Sequence, residues 1–146
     1  MTRVDFLHDV TDKLAVAARL AARCYAEQHR AVVFLDRADL AMRLDRQLWC
    51  QPALGFLPHV MADSPLAGDT PILLALPGMP LAHFDWMINL GSELPPDFSR
   101  FERIIELVGA DETDRIPARQ RYRHYRDRGY PLTADTYAEK GPPDGR

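Results

Sequence analysis

A chain of 146 residues, 47% hydrophobic and 27% charged, has the length of one domain and the balance of an ordinary globular protein, which excludes a disordered chain and any need for a metal or disulfide to hold the fold. No apolar run approaches the roughly 20 residues that cross a bilayer, and the start MTRVDFLHDV lacks a secretory pattern, so the expected location is the cytoplasm, with Cys24 and Cys50 as reduced thiols. The formal net charge of −3 hides an asymmetry: Arg115 to Arg128 holds six arginines and one aspartate, a local +5 that leaves −8 elsewhere and asks for an acidic partner.

Val4, Phe6 and Leu7 predict a first strand broken at His8-Asp9, with Asp9 or Thr11 capping the helix that follows. From Asp12 to His29, Leu14, Ala17, Ala18, Ala21, Cys24 and Tyr25 recur at helical spacing. Ala31 to Leu35 is a continuous apolar run of strand length, as in a parallel sheet covered on both faces, and Asp36 is placed to cap a second helix. In that helix Leu40, Leu44 and Leu48 form the stripe facing the sheet, and Trp49 lies about 100° away from it, at the edge of the core or outside. Phe56 to Val60, Pro71 to Leu76, Trp86 to Leu90 and Ile104 to Val108 read as further strands, with a short helical turn near Phe98 and Phe101. A last helix runs from about Thr113 to Arg128 and is closed by Gly129. The order is that of a single α/β domain over residues 1–137 with a mainly parallel sheet, and the tail at 138–146 is expected to be disordered.

The chemistry is mostly negative. The first strand-to-helix turn, FLHDVTD, has no glycine to admit a phosphate, and no GxxxxGK[ST] occurs. His8, His29, His59, His83 and His124 show no metal-binding spacing, the serines lack a GxSxG elbow, and Cys24 sits mid-helix as a small hydrophobe. No catalytic constellation emerges, so no cofactor, metal or enzyme activity is expected. The last helix is different. Arg115, Arg119, Tyr122, Arg123 and Arg126 fall at i, i+4, i+7, i+8 and i+11, one stripe with an aromatic inside it. The segment's lack of compensating acids favours a binding face over a merely solvated one, and arginine forks onto carboxylate or phosphate. An acidic peptide and a nucleic-acid backbone both satisfy it. In LDRQLWCQPALGFLPH, from Leu44 to His59, the apolar loop holding Trp49, Pro52, Phe56 and Pro58 is either a core satellite or a protein-protein anchor.

LDRQLWCQPALGFLPH, followed in the last helix by RQRYRHYRDRGY, resembles the chi subunit of bacterial DNA polymerase III, and the similarity runs through almost the whole chain. The resemblance implies a Rossmann-like three-layer fold without a nucleotide. It also implies a non-catalytic accessory protein of the clamp-loader assembly. Such a protein pairs with the psi subunit and, through a separate surface, binds the acidic C-terminal tail of single-stranded DNA-binding protein. By position, Arg115, Arg119, Tyr122 and Arg123, with apolar Val108, match the tail-binding residues, Arg115 and Arg123 standing where lysine also occurs. Trp49, Phe56, Leu57 and Pro58 match the psi contact. The alternative is a direct single-stranded nucleic-acid binder using the same basic stripe, against which the negative charge of the remaining surface counts.

Overall fold

Strands built from short, wholly apolar runs can pair only where both faces are covered, and here they form one central sheet. The computed structural model describes residues 2–50 and 55–137; Pro52 and the expected tail at 138–146 lie outside them. In chain order the elements are β1 (Arg3–Val10), α1 (Lys13–Ala26), β2 (Ala31–Phe34), α2 (Ala38–Cys50), β3 (His59–Met61), β4 (Ile72–Ala75), β5 (Trp86–Asn89), β6 (Arg103–Gly109), α3 (Glu112–Asp127) and β7 (Leu132–Thr136). The strand order is β3-β4-β2-β5-β6-β1-β7, and each pairing is parallel.

Alternation along each strand assigns the two faces. Ala31 and Val33, Ile72 and Leu74, and Ile105 and Leu107 join the core under α1 and α2. Val32, Leu73, Met87, Ile104 and Val108 face the other way, towards Ala118 and Tyr125 of α3. The result is a Rossmann-like three-layer α/β fold, with two helices on one face and one on the other.

Several local expectations change. The expected mainly parallel sheet is parallel at each pairing among the described residues. Asp12, rather than Asp9 or Thr11, caps α1, its Oδ1 accepting the Ala15 N–H at 3.1 Å. Asp36, expected to cap α2, receives the Ser92 N–H at 3.2 Å. The third strand begins at His59, not Phe56. A seventh strand, β7, follows α3 and pairs with β1; its sequence LTADT is polar because it is an exposed edge. Cys24 lies on the buried face of α1, and burial pushes its thiol up to about 12.

One irregularity positions the site. From Leu7 to Val10 strand β1 advances three residues while its partner β6 advances two, from Leu107 to Gly109. The extra residue is a bulge at His8-Asp9, where Asp9 takes the left-handed φ of 57°. Its consequence is a switch of face: Phe6 packs on the α3 side, whereas Val10 joins the core under α1.

Candidate functional site

Helix α3 divides its residues by direction. Ala118, Arg121 and Tyr125, at i, i+3 and i+7, turn inward and are buried. Arg121 Nε donates to Glu106 Oε1 at 3.0 Å and its Nη1 to the Ser92 carbonyl at 2.8 Å. Tyr125 Oη donates to the other Glu106 oxygen at 2.8 Å, and Asn89 Nδ2 to Oε1 at 2.9 Å. Burial pushes the Glu106 carboxyl up, opposed by Arg121 and by the hydrogen bonds of Tyr125 and Asn89. Burial and the Glu106 charge push the Tyr125 hydroxyl up as well, so it stays a donor.

The start of α3 is fixed by Asp114. Its Oδ2 accepts the Gly109 N–H at 2.6 Å and Lys13 Nζ at 2.8 Å. Gly109 leaves room for this, because a Cβ there would lie 2.9 Å from Asp114 Oδ2. Burial acts to raise the Asp114 carboxyl, but Lys13 and the Gly109 amide outweigh it and hold the group below its ordinary value of 3.8. A depressed carboxylate adds stability above its unfolded value and loses it as pH falls through its folded value. Asp114→Asn is therefore expected to cost about 1–2 kcal/mol at neutral pH and progressively less as pH falls below 3.8, read by thermal unfolding across that range.

With the inward face fixed, the outward one forms a cleft of about 540 Å³ between α3 and the ends of β1, β6 and β7. Buried Phe6, Val108 and Ala118, with half-buried Tyr122, supply its apolar side. Phe6 meets Tyr122 edge to face at 5.3 Å. Arg115, Arg119, Arg123 and Arg126 supply the charged side. All five expected tail-site residues, Val108, Arg115, Arg119, Tyr122 and Arg123, thus line one cavity. Phe6, His8, Asp9 and Thr136 line it too and were not anticipated, since only the β1-β6-β7 topology brings them to α3.

The basic segment is less uncompensated than its own sequence suggests. Arg115 Nη2 donates to Asp9 Oδ1 at 2.8 Å, Arg119 lies 3.6 Å from Glu112, and Arg121 pairs with Glu106. These acids come from outside the segment, so local composition missed them. Among the described residues Arg123 has no ion-pair partner.

At the opposite edge of the sheet, beside β3, lies the second group of expected residues. Trp49 is 56% and Phe56 72% exposed, their rings 6.0 Å apart. Leu57 is only 2% exposed and belongs to the core under α2, so it supports the surface from below instead of forming it. Pro58 is half-buried. Asp45 and Trp49 stand one turn apart on α2 and grip His59, whose Nε2 lies 3.1 Å from Asp45 Oδ1 and whose ring centroid is 4.5 Å from that of Trp49. His59 Nδ1 donates to the Leu57 carbonyl at 2.7 Å. Among the described residues no group of three metal-binding side chains occurs, and no helix is long and apolar enough to cross a membrane.

Comparison with known proteins gives the family. The family model for the DNA polymerase III chi subunit, HolC, matches residues 1–133. The chain is 38% identical over 138 residues to the DNA polymerase III subunit chi of Pseudomonas aeruginosa, covering 90% of this chain and 94% of that one. It is 30% identical over 122 residues to the Haemophilus influenzae subunit (82% and 84% covered) and 28% identical over 137 residues to the Escherichia coli subunit (93% and 91% covered). The chain belongs to the DNA polymerase III chi subunit family.

Proposed function

We propose that this chain is a non-catalytic, cytoplasmic adaptor. It connects single-stranded DNA-binding protein, held by its acidic C-terminal tail, to the clamp loader of DNA polymerase III through the psi subunit. The observation that carries the reading is the α3 cleft, an apolar wall of Phe6, Val108 and Tyr122 facing a row of arginines. A tail with acidic residues, a proline and a terminal phenylalanine needs both features. Guanidinium groups fork onto its carboxylates, and an aromatic ring buried at about 25 cal/mol per Å² needs an apolar wall. The psi subunit is assigned to Trp49, Phe56 and Pro58. That surface lies by β3 whereas the cleft lies by β1 and β7, at the other edge of the sheet, so two partners can bind together.

The test is a titration with the tail peptide and, at matched salt, with a single-stranded oligonucleotide. The peptide is expected to bind and to weaken as salt rises, and Arg119→Ala to weaken it about tenfold. The oligonucleotide is expected not to bind measurably. Oligonucleotide binding with a steep salt slope and no peptide binding would instead identify a direct nucleic-acid binder. Peptide binding unchanged by Arg119→Ala would remove the cleft from the reading.

A further inference from the structure

We infer that Asp9 moderates the anion affinity of the α3 cleft: it is a resident carboxylate, placed there by the β1 bulge, that occupies Arg115 in the free protein and holds down affinity for acidic ligands. The inference rests on the acidic-tail reading of the cleft and adds to it a residue that acts against the ligand.

Three observations converge on Asp9. The first is backbone geometry. Asp9 has a φ of 57°, a conformation unusual for any residue but glycine, at the point where β1 gains a residue over β6. Bulges of this kind re-aim a side chain, and sparsely populated backbone states persist only where surrounding structure holds them. The Tyr137 N–H, bonded to the His8 carbonyl at 2.9 Å, is part of that hold.

The second is where the side chain goes. Asp9 caps nothing, because Asp12 caps α1. It lines the cleft, and its Oδ1 accepts Arg115 Nη2 at 2.8 Å across 106 residues of sequence. The third is charge. The other lining residues that carry fixed charge are Arg115, Arg119, Arg123 and Arg126, so among the described residues Asp9 is the one carboxylate inside the cleft, while Glu112 stands at its rim, 3.9 Å from Arg115 and 3.6 Å from Arg119. An acidic ligand approaching Arg115 therefore meets a like charge already bonded to it. It must share the guanidinium or displace Asp9. Like-charge juxtaposition of this kind is how binding surfaces reject some partners and moderate others.

Asp9→Asn isolates the charge. Asparagine is, with aspartate, among the residues that best tolerate a left-handed φ, and its Oδ1 can still accept from Arg115, so backbone and guanidinium orientation are kept while the charge is removed. With full-length wild-type and Asp9→Asn proteins, the tail peptide and a single-stranded oligonucleotide are titrated at low and high salt. Asp9→Asn is expected to tighten the peptide about two- to fivefold at low salt, as for a partly exposed charge pair, and the gain is expected to shrink as salt screens it.

Unchanged or weaker peptide binding by Asp9→Asn, with Arg119→Ala still weakening it, would overturn the inference and leave the adaptor reading intact; Asp9 would then only orient Arg115. If wild type binds the oligonucleotide and not the peptide, the adaptor reading fails, yet Asp9→Asn must still tighten the oligonucleotide, and no tightening overturns the inference as well. If neither protein binds either anion, both fall together.

Discussion

Arg121→Met is expected to lower the unfolding free energy by about 3–5 kcal/mol, the range for removing one partner of a buried ion pair. The cost comes from what is left behind. Glu106 is fully buried on β6, and among the described residues Arg121 supplies its only cationic contact. Tyr125 and Asn89 still donate to it, but they neutralise nothing. The Ser92 carbonyl loses its 2.8 Å donor at the same time. Chemical denaturation would read the loss directly, and thermal unfolding would show it as a drop of roughly 10–20 °C. Arg119→Met, two positions away and exposed, should stay within about 0.5 kcal/mol of wild type. Without Arg121, the hydrogen bonds of Tyr125 and Asn89 are left to oppose burial, and the balance shifts towards the protonated Glu106 carboxyl. A carboxyl raised in the folded state favours folding below its unfolded value and loses that contribution as pH rises through its folded value. The deficit of Arg121→Met should therefore be smaller near about pH 5 than near about pH 8, and Arg121→Met/Glu106→Gln should recover part of it at the higher pH. A single variant within about 1 kcal/mol of wild type would mean that the network does not hold α3 on the sheet.

That network also shows what a sequence can and cannot disclose. Helical counting leaves Arg121 off the outward stripe, and the structure buries it. Its partner Glu106 sits inside the apolar run IIELV, where nothing local announces that an arginine will arrive from α3. The strands AVVF, ILLA and WMIN were legible because burial on both faces needs continuous apolar residues. β7 was not, because an exposed edge strand is polar and reads as a turn after Gly129. The arginine stripe was visible from spacing, whereas the cleft was not: Phe6 and Asp9 enter it only because β1 lies between β6 and β7 with a bulge at its end. The opposite exposures of Phe56 and Leu57 were likewise not legible, because the apolar run GFLP does not say which of the two neighbours meets the core.

Trp49→Ala is expected to weaken capture of the psi subunit by about 2–4 kcal/mol, roughly 30- to several-hundred-fold, while leaving tail-peptide affinity unchanged. A half-exposed tryptophan is a large apolar surface that water wets in the free protein and a partner can cover. It is also held in place: His59 lies under its ring at 4.5 Å, Asp45 one turn back bonds that histidine, and Phe56 stands 6.0 Å away. Little side-chain freedom then remains to be lost on binding, which is what distinguishes an anchor from a merely exposed aromatic. Phe56→Ala should weaken psi in the same direction but less, because Phe56 is 72% exposed and among the described residues its one ring contact is with Trp49. Leu57→Ala does not probe the contact, because Leu57 is in the core and its truncation would act through stability. The measurement is psi binding by calorimetry or surface immobilisation, with thermal unfolding of each variant alongside to exclude loss of fold. Independence of the two ends follows from their places at opposite edges of the sheet, since substitutions far apart with no shared partners add. Full psi binding by a folded Trp49→Ala protein would show that the aromatic surface beside β3 serves another partner, whereas loss of tail-peptide binding in the same variant would show that the two edges communicate through the sheet.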